Sequence, residues 1–142
     1  MHRTAQSFYD KCFEELGIGS GHFSYLLFLY RQEGVSQDSM AKFFNVDKAA
    51  TARAVARLEA LGYIRRAKDP HDRRAYLIYL TEQGRTLEPQ IRSVLKNWAL
   101  LITEDLSLEE RDLAYSLLRK MANKAIAVKE QHSGRKATGK GK

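Results

Sequence analysis

Residues 47–76 read DKAATARAVARLEALGYIRRAKDPHDRRAY, and the fold turns on how this stretch is parsed. Asp47 is placed to cap a helix in which Thr51, Ala54, Val55 and Leu58 recur at i, i+3, i+4 and i+7, with Leu61 continuing the same apolar face. The opposite face carries Lys48, Ala49, Ala52, Arg53 and Ala56, flanked by Arg57. Small side chains there let a helix backbone approach base edges while Arg53 reaches them; a merely alanine-rich solvent face is the plain alternative. Gly62 ends the helix, and residues 63–68 read as a strand with Ile64 inward. A second strand, YLIYL, follows at 76–80. Between them lies DPHDRR at 69–74, where proline and two aspartates set a turn from which Arg73 and Arg74 project. Helix followed by basic hairpin is an arrangement that grips duplex DNA.

Upstream, residues 4–16 place Phe8, Cys12 and Leu16 on one short stripe, with Phe13 beside them and Gly17 as terminator. Ser20 is placed to cap a second helix whose apolar face is Phe23, Leu26, Leu27 and Tyr30. Phe28 and Leu29 widen that face, which predicts packing on two sides. Ser36 caps a third, short helix with Met40, Phe43 and Phe44 inward, and Asn45 is a left-handed terminator. This helix, a tight turn and the helix after Asp47 make a helix-turn-helix.

Downstream, Thr81 caps a long helix through Leu87, Ile91, Val94, Leu95, Trp98, Leu101 and Ile102, in which Pro89 either kinks the span or marks its effective start. Ser107–Leu108–Glu109–Glu110 is a capping box opening a last helix, with Leu113, Leu117, Leu118, Met121, Ala125 and Val128 along one side. These flanking helices have more apolar face than a small winged helix can cover, which predicts a dimer interface. The final SGRKATGKGK has cations and glycines but no large apolar group, so disorder is expected there, as a solubilising tail or a nonspecific phosphate-binding arm.

The totals agree with a single globular domain. The chain has 142 residues, 44% of them hydrophobic and 29% charged. Its net charge of +7 is local: residues 47–76 hold eight cations against four carboxylates, a balance of +4, and residues 132–142 add four cations unopposed, leaving −1 elsewhere. The one cysteine, Cys12, excludes an internal disulfide and fits a reducing compartment. No apolar run reaches the roughly 18 residues of a membrane span, and His2 and Arg3 precede no signal-peptide core, so cytoplasm is the expected location. His2, His22, His71 and His132 are scattered, with no metal motif or phosphate loop, so neither an enzyme nor a cofactor or metal is expected.

These residues resemble the MarR family of transcriptional regulators, whose hallmarks are a recognition helix, a D-x-R wing and a strand ending in L-T-x-x-G. They occur here as VDKAATARAVARLEALGYIRR at 46–66, Asp72–Arg73–Arg74, and Leu80–Thr81–Glu82–Gln83–Gly84. The resemblance covers roughly residues 17–125 and implies a homodimer with interleaved terminal helices, presenting two winged helices to one pseudo-palindromic double-stranded DNA operator. It implies that Lys48, Ala49, Ala52 and Arg53 face the major groove, that Arg74 enters the minor groove with Asp72 bracing its guanidinium, and that Arg73 meets phosphate. Arg57 is counted with this DNA-binding set. Two departures are visible: a short first helix, and alanines at 49, 50 and 52 where Ser or Thr is common in the family. Thymine methyl contacts and DNA shape are then expected to carry more of the specificity.

The expected architecture is mainly α with a small β-hairpin wing (α+β): a DNA-binding lobe at about 20–83 between dimerisation helices at about 2–16 and 84–131, then a basic tail at 132–142. The function implied is a ligand-responsive repressor whose small aromatic or anionic effector occupies a cleft lined by Phe13, Phe23, Tyr30 and Trp98, although aromatics at helical spacing equally make a core. The alternatives are a ligand-independent architectural DNA binder and a redox sensor acting through Cys12. Against the redox sensor, Cys12 is expected to pack among Phe8 and Leu16, without a second cysteine to resolve a sulfenic acid.

Overall fold

A computed structural model describes residues 2–19 and 21–137. In chain order it contains α1 (His2–Phe13), a 3-10 turn (Glu14–Leu16), α2 (Phe23–Leu29), β1 (Val35–Ser36), α3 (Gln37–Phe44) and α4 (Lys48–Ala60). There follow β2 (Ile64–Lys68), β3 (Tyr76–Leu80), α5 (Glu82–Thr86), α6 (Glu88–Leu101) and α7 (Leu108–Ala137). The chain forms two compact units, residues 1–99 and 100–142. The fold is mainly helical with one small antiparallel sheet.

Local chemistry sets most boundaries in the first unit. Asp47 Oδ1 accepts from the Ala50 N–H at 2.7 Å and opens α4. Ser36 Oγ does the same for Ser39 N–H at 3.1 Å, opening α3, which closes on Asn45 at φ 53°. Ser20 lies outside the described residues; at the start of α2 the structure shows the Gly19 N–H donating to His22 Nδ1 at 3.0 Å. Burial lowers the His22 pKa, the Arg57 charge lowers it further, and Asp10 opposes both.

The core joins α2, α3, α4 and the sheet through Leu26, Leu29, Met40, Val55, Leu58, Ile64 and Ile78. The pattern on α4 is as the sequence predicts: Thr51, Ala54, Val55 and Leu58 are buried. Thr51, wholly buried, has the Tyr25 hydroxyl 3.4 Å from its own.

Three details of α1, α3 and the sheet depart from the sequence reading. First, α1 ends at Phe13 and the chain tightens into a 3-10 turn, so the buried side of α1 is Phe13, while Cys12 is exposed. Phe8, Tyr9, Phe13, Phe23 and Trp98 form a ring-to-ring cluster that fixes this choice of face. Second, Phe43 is 55% exposed, because Met40, Ala41 and Phe44 define the inward face of α3 and residue 43 lies roughly a quarter-turn off it. Third, the sheet has a further strand: β1 pairs with β3 at Val35–Ile78 and Ser36–Leu77, giving the order β1-β3-β2.

The helix expected from Thr81 onward is two helices. Thr81 caps α5, which ends at Thr86, and Pro89 sits in the first turn of α6, where its missing N–H costs nothing. Gly84 explains the spacing of Leu80–Thr81–Glu82–Gln83–Gly84. Its N–H donates to Thr81 Oγ1 at 3.0 Å, its carbonyl accepts from the Tyr30 hydroxyl at 2.8 Å, and a Cβ there would lie 2.0 Å from the Tyr63 carbonyl oxygen. Only glycine fits. Burial raises the Tyr30 pKa, and neighbouring Glu88 adds to the rise.

In the second unit the capping box forms as expected: the Glu110 N–H donates to Ser107 Oγ at 3.2 Å and the Ser107 N–H to Glu110 Oε2 at 2.9 Å. Helix α7 continues to Ala137, taking in residues 133–137, which composition assigns to a disordered tail. Each residue added to an existing helix gains a hydrogen bond, and Arg135, Lys136 and Ala137 are strong helix formers. Residues 138–142 lie outside the described residues.

Candidate nucleic-acid interface

Two cationic features lie in the first unit, one on α4 and one at the tip of the β2–β3 hairpin. On α4, Lys48, Ala49 and Arg53 are exposed and Ala52 is half-buried, while Thr51, Ala54, Val55 and Leu58 are buried. The start of the helix adds its own partial positive charge and unpaired N–H groups to that surface.

The hairpin tip is shaped by two aspartates. Asp69 Oδ1 accepts from the His71 N–H at 2.8 Å and Asp72 Oδ1 from the Arg74 N–H at 2.9 Å, while the Ala75 N–H closes on the Asp72 carbonyl at 3.0 Å. Asp72 therefore braces the Arg74 backbone, where the family resemblance implies its guanidinium. The turn leaves Arg73 and Arg74 exposed. Among the described residues no salt bridge holds Arg53, Arg73 or Arg74.

Other arginines in the same stretch are occupied. Arg66 pairs with Glu59 at 3.1 Å, and the Arg65 guanidinium lies 4.8 Å from the centre of the Tyr79 ring. Arg57 donates through Nε and Nη2 to the Gly17 carbonyl at 3.2 and 3.0 Å, and the Tyr63 hydroxyl donates to the neighbouring Leu16 carbonyl at 3.0 Å. Arg57 thus fastens the end of the first helical segment to α4. Its partner lies 40 residues away in the chain, so no local signal distinguishes it from Arg53.

Sequence reasoning passes over one further contributor. Asp38, in the first turn of α3, accepts from Lys48 Nζ at 2.8 Å. It also lines, with Ser36, Gln37, Arg66, Arg74 and Tyr76, a cleft of about 370 Å³ between α3 and the hairpin.

The aromatic residues assigned to an effector cleft are placed otherwise. Phe13 and Phe23 are core, Trp98 packs on Phe8 and Tyr9, and Tyr30 holds Gly84. A cleft of about 430 Å³ opens instead beside α2, lined by Leu27, Phe28, Arg31, Phe44, Arg92 and Leu95 among others.

A capped helix-turn-helix followed by a basic antiparallel hairpin defines a winged helix-turn-helix DNA-binding fold. Residues 16–75 match the MarR family model. The HTH-type transcriptional regulator BilQ of Clostridioides difficile (strain CD3) is 26% identical over 131 residues, 92% of this chain and 88% of its own. A crystal structure of MarR shares 32% identity with a TM-score of 0.87, over 91% of this chain and 88% of that one. A mutant MarR from E. coli complexed with operator DNA has the same fold at 22% identity, with a TM-score of 0.71 over 84% and 86% of the two chains. The chain belongs to the MarR family and is a transcriptional regulator, not an enzyme. No described helix is long and apolar enough to cross a membrane.

Proposed function

We propose that this regulator acts in the cytoplasm as a homodimeric, ligand-responsive repressor on a pseudo-palindromic operator. The observation that carries the DNA-binding mode is the joint exposure of Arg53 on α4 and of Arg73 and Arg74 at the hairpin tip, without internal ion pairs among the described residues. In this reading Lys48, Ala49, Ala52 and Arg53 face the major groove. Arg74 enters the minor groove, where a narrow, electronegative floor favours arginine, and Arg73 meets phosphate. Arg57 contributes by holding α4 in place.

The second unit supports the dimer. Leu108, Leu113, Leu117, Leu118 and Met121 are all exposed, an apolar load that a soluble monomer rarely leaves in water. Two recognition helices in one dimer would have to meet major grooves about 34 Å apart, so a few ångströms of rigid-body shift suffices to release DNA. The cleft beside α2 suits an effector that is both aromatic and anionic, since it combines Phe28 and Phe44 with Arg31 and Arg92.

The test is selection of bound duplexes from a random pool, followed by Arg74→Ala on the enriched site. A palindrome should emerge, and Arg74→Ala should lose about tenfold to a hundredfold in affinity while keeping its oligomeric state. Normal operator binding by that variant at physiological salt overturns the wing assignment. Enrichment of no palindrome favours a ligand-independent architectural binder.

A further inference from the structure

Lys48 begins α4 on the face that the proposed interface turns toward DNA, yet its ammonium is already engaged. Nζ donates to Asp38 Oδ2 at 2.8 Å, with the two side chains 75% and 57% exposed. That bond, helped by the Lys42 charge, holds the Asp38 carboxyl below the usual carboxylate range. The other carboxylates nearby have different uses. Asp47 caps α4, Asp69 and Asp72 shape the hairpin turn, and Glu59 holds Arg66. Asp38 is thus the one among them whose partner is a cation assigned to the DNA face, and it also lines the cleft beside Arg74.

We propose that Asp38 is an internal competitor for DNA phosphate, occupying Lys48 in the free protein and releasing it on binding to a phosphate at the edge of the major groove that Lys48 faces. The inference rests on the DNA-binding reading above. Exchanging a carboxylate for a phosphate gives Lys48 no net new ion pair. The carboxylate left behind, close to a polyanion, takes up a cation. Binding therefore releases about one counterion fewer than the count of basic contacts suggests, and both affinity and salt dependence are held down. Asp38 is a positioning residue that acts through Lys48.

The experiment compares wild type, Asp38→Asn, Lys48→Met and the double variant for binding to the selected operator and to a random duplex, at several salt concentrations. Asp38→Asn should tighten both duplexes several-fold and steepen the slope of log K against log salt by about 0.9. Asp38→Glu should restore wild-type behaviour, and the gain should vanish when Lys48 is already methionine. An unchanged affinity, or a gain that persists without Lys48, overturns the role. Weakened binding overturns it too, and would show Asp38 accepting from a base amino group. Asp38→Ser repeats the comparison with a second uncharged side chain, and thermal melts confirm that each variant is folded. A wild type that binds no duplex overturns the interface itself before any variant is compared, and this role with it.

Discussion

Leu26 and Leu118 are both helix leucines, but the first is 0% exposed and the second 60%. Leu26 lies in α2, where neighbouring elements close over it, and the same is true of Leu58 in α4 and Ile91 in α6. Leu118 belongs to a helix on which Leu108, Leu113, Leu117 and Met121 are also in water. At roughly 25 cal/mol per Å² of apolar surface, such a row represents several kcal/mol that one chain leaves unclaimed. The first unit covers a core of its own, although Phe43 and Tyr76 stay exposed. The second leaves its row of apolar residues uncovered, the observation that the proposed second copy would account for.

The largest test of that contrast is Leu117→Asp with Leu118→Asp. Two carboxylates in the proposed interface should convert the dimer to a monomer in sedimentation and lower operator affinity at least a hundredfold, with the first unit still folded. A variant that stays dimeric would break the comparison, because α7 would then be exposed for another reason.

Next in size is Gly84→Ala, which strikes the first unit. The added Cβ would collide with the Tyr63 carbonyl, so strand and α5 must separate and the Tyr30 bond must lengthen. A loss of about 3 kcal/mol is expected, seen as a drop in thermal midpoint of about 10 °C. An unchanged midpoint would mean that this joint is looser than its contacts imply.

The smallest effect is that of His22. Its folded pKa lies below the unfolded value, so the unfolded chain binds more protons at acid pH, and stability falls as pH drops below about 6.5. Protonation also forfeits the acceptor for the Gly19 N–H. Melting curves from pH 7.5 down to pH 5 should show a decline in wild type that is reduced in His22→Gln. Equal declines would place the acid sensitivity elsewhere.

Much of the architecture is legible in the sequence because its signals are local. Asp47, Ser36, Thr81 and the Ser107–Glu110 box each act within a single helical turn, and all four form. The face of α4 follows from its period, and the wing from its turn residues. Less legible is whatever depends on distant neighbours. Phe43 and Phe44 are equally apolar, and only the packing of Met40 and Ala41 decides that Phe43 points out. Strand β1 is two residues long, with a partner more than forty residues away.

The site divides in the same way. By itself, the sequence determined the helix-turn-helix, the basic hairpin and the concentration of charge on both, since periodicity, caps and turn chemistry act within a few residues. Only the tertiary structure decided which cations are committed. It placed Arg57 on the Gly17 carbonyl, Arg66 on Glu59 and Lys48 on Asp38, and left Arg53, Arg73 and Arg74 exposed. The reason is physical: a guanidinium or ammonium takes an acceptor that folding brings within 3 Å or so, whatever the separation along the chain.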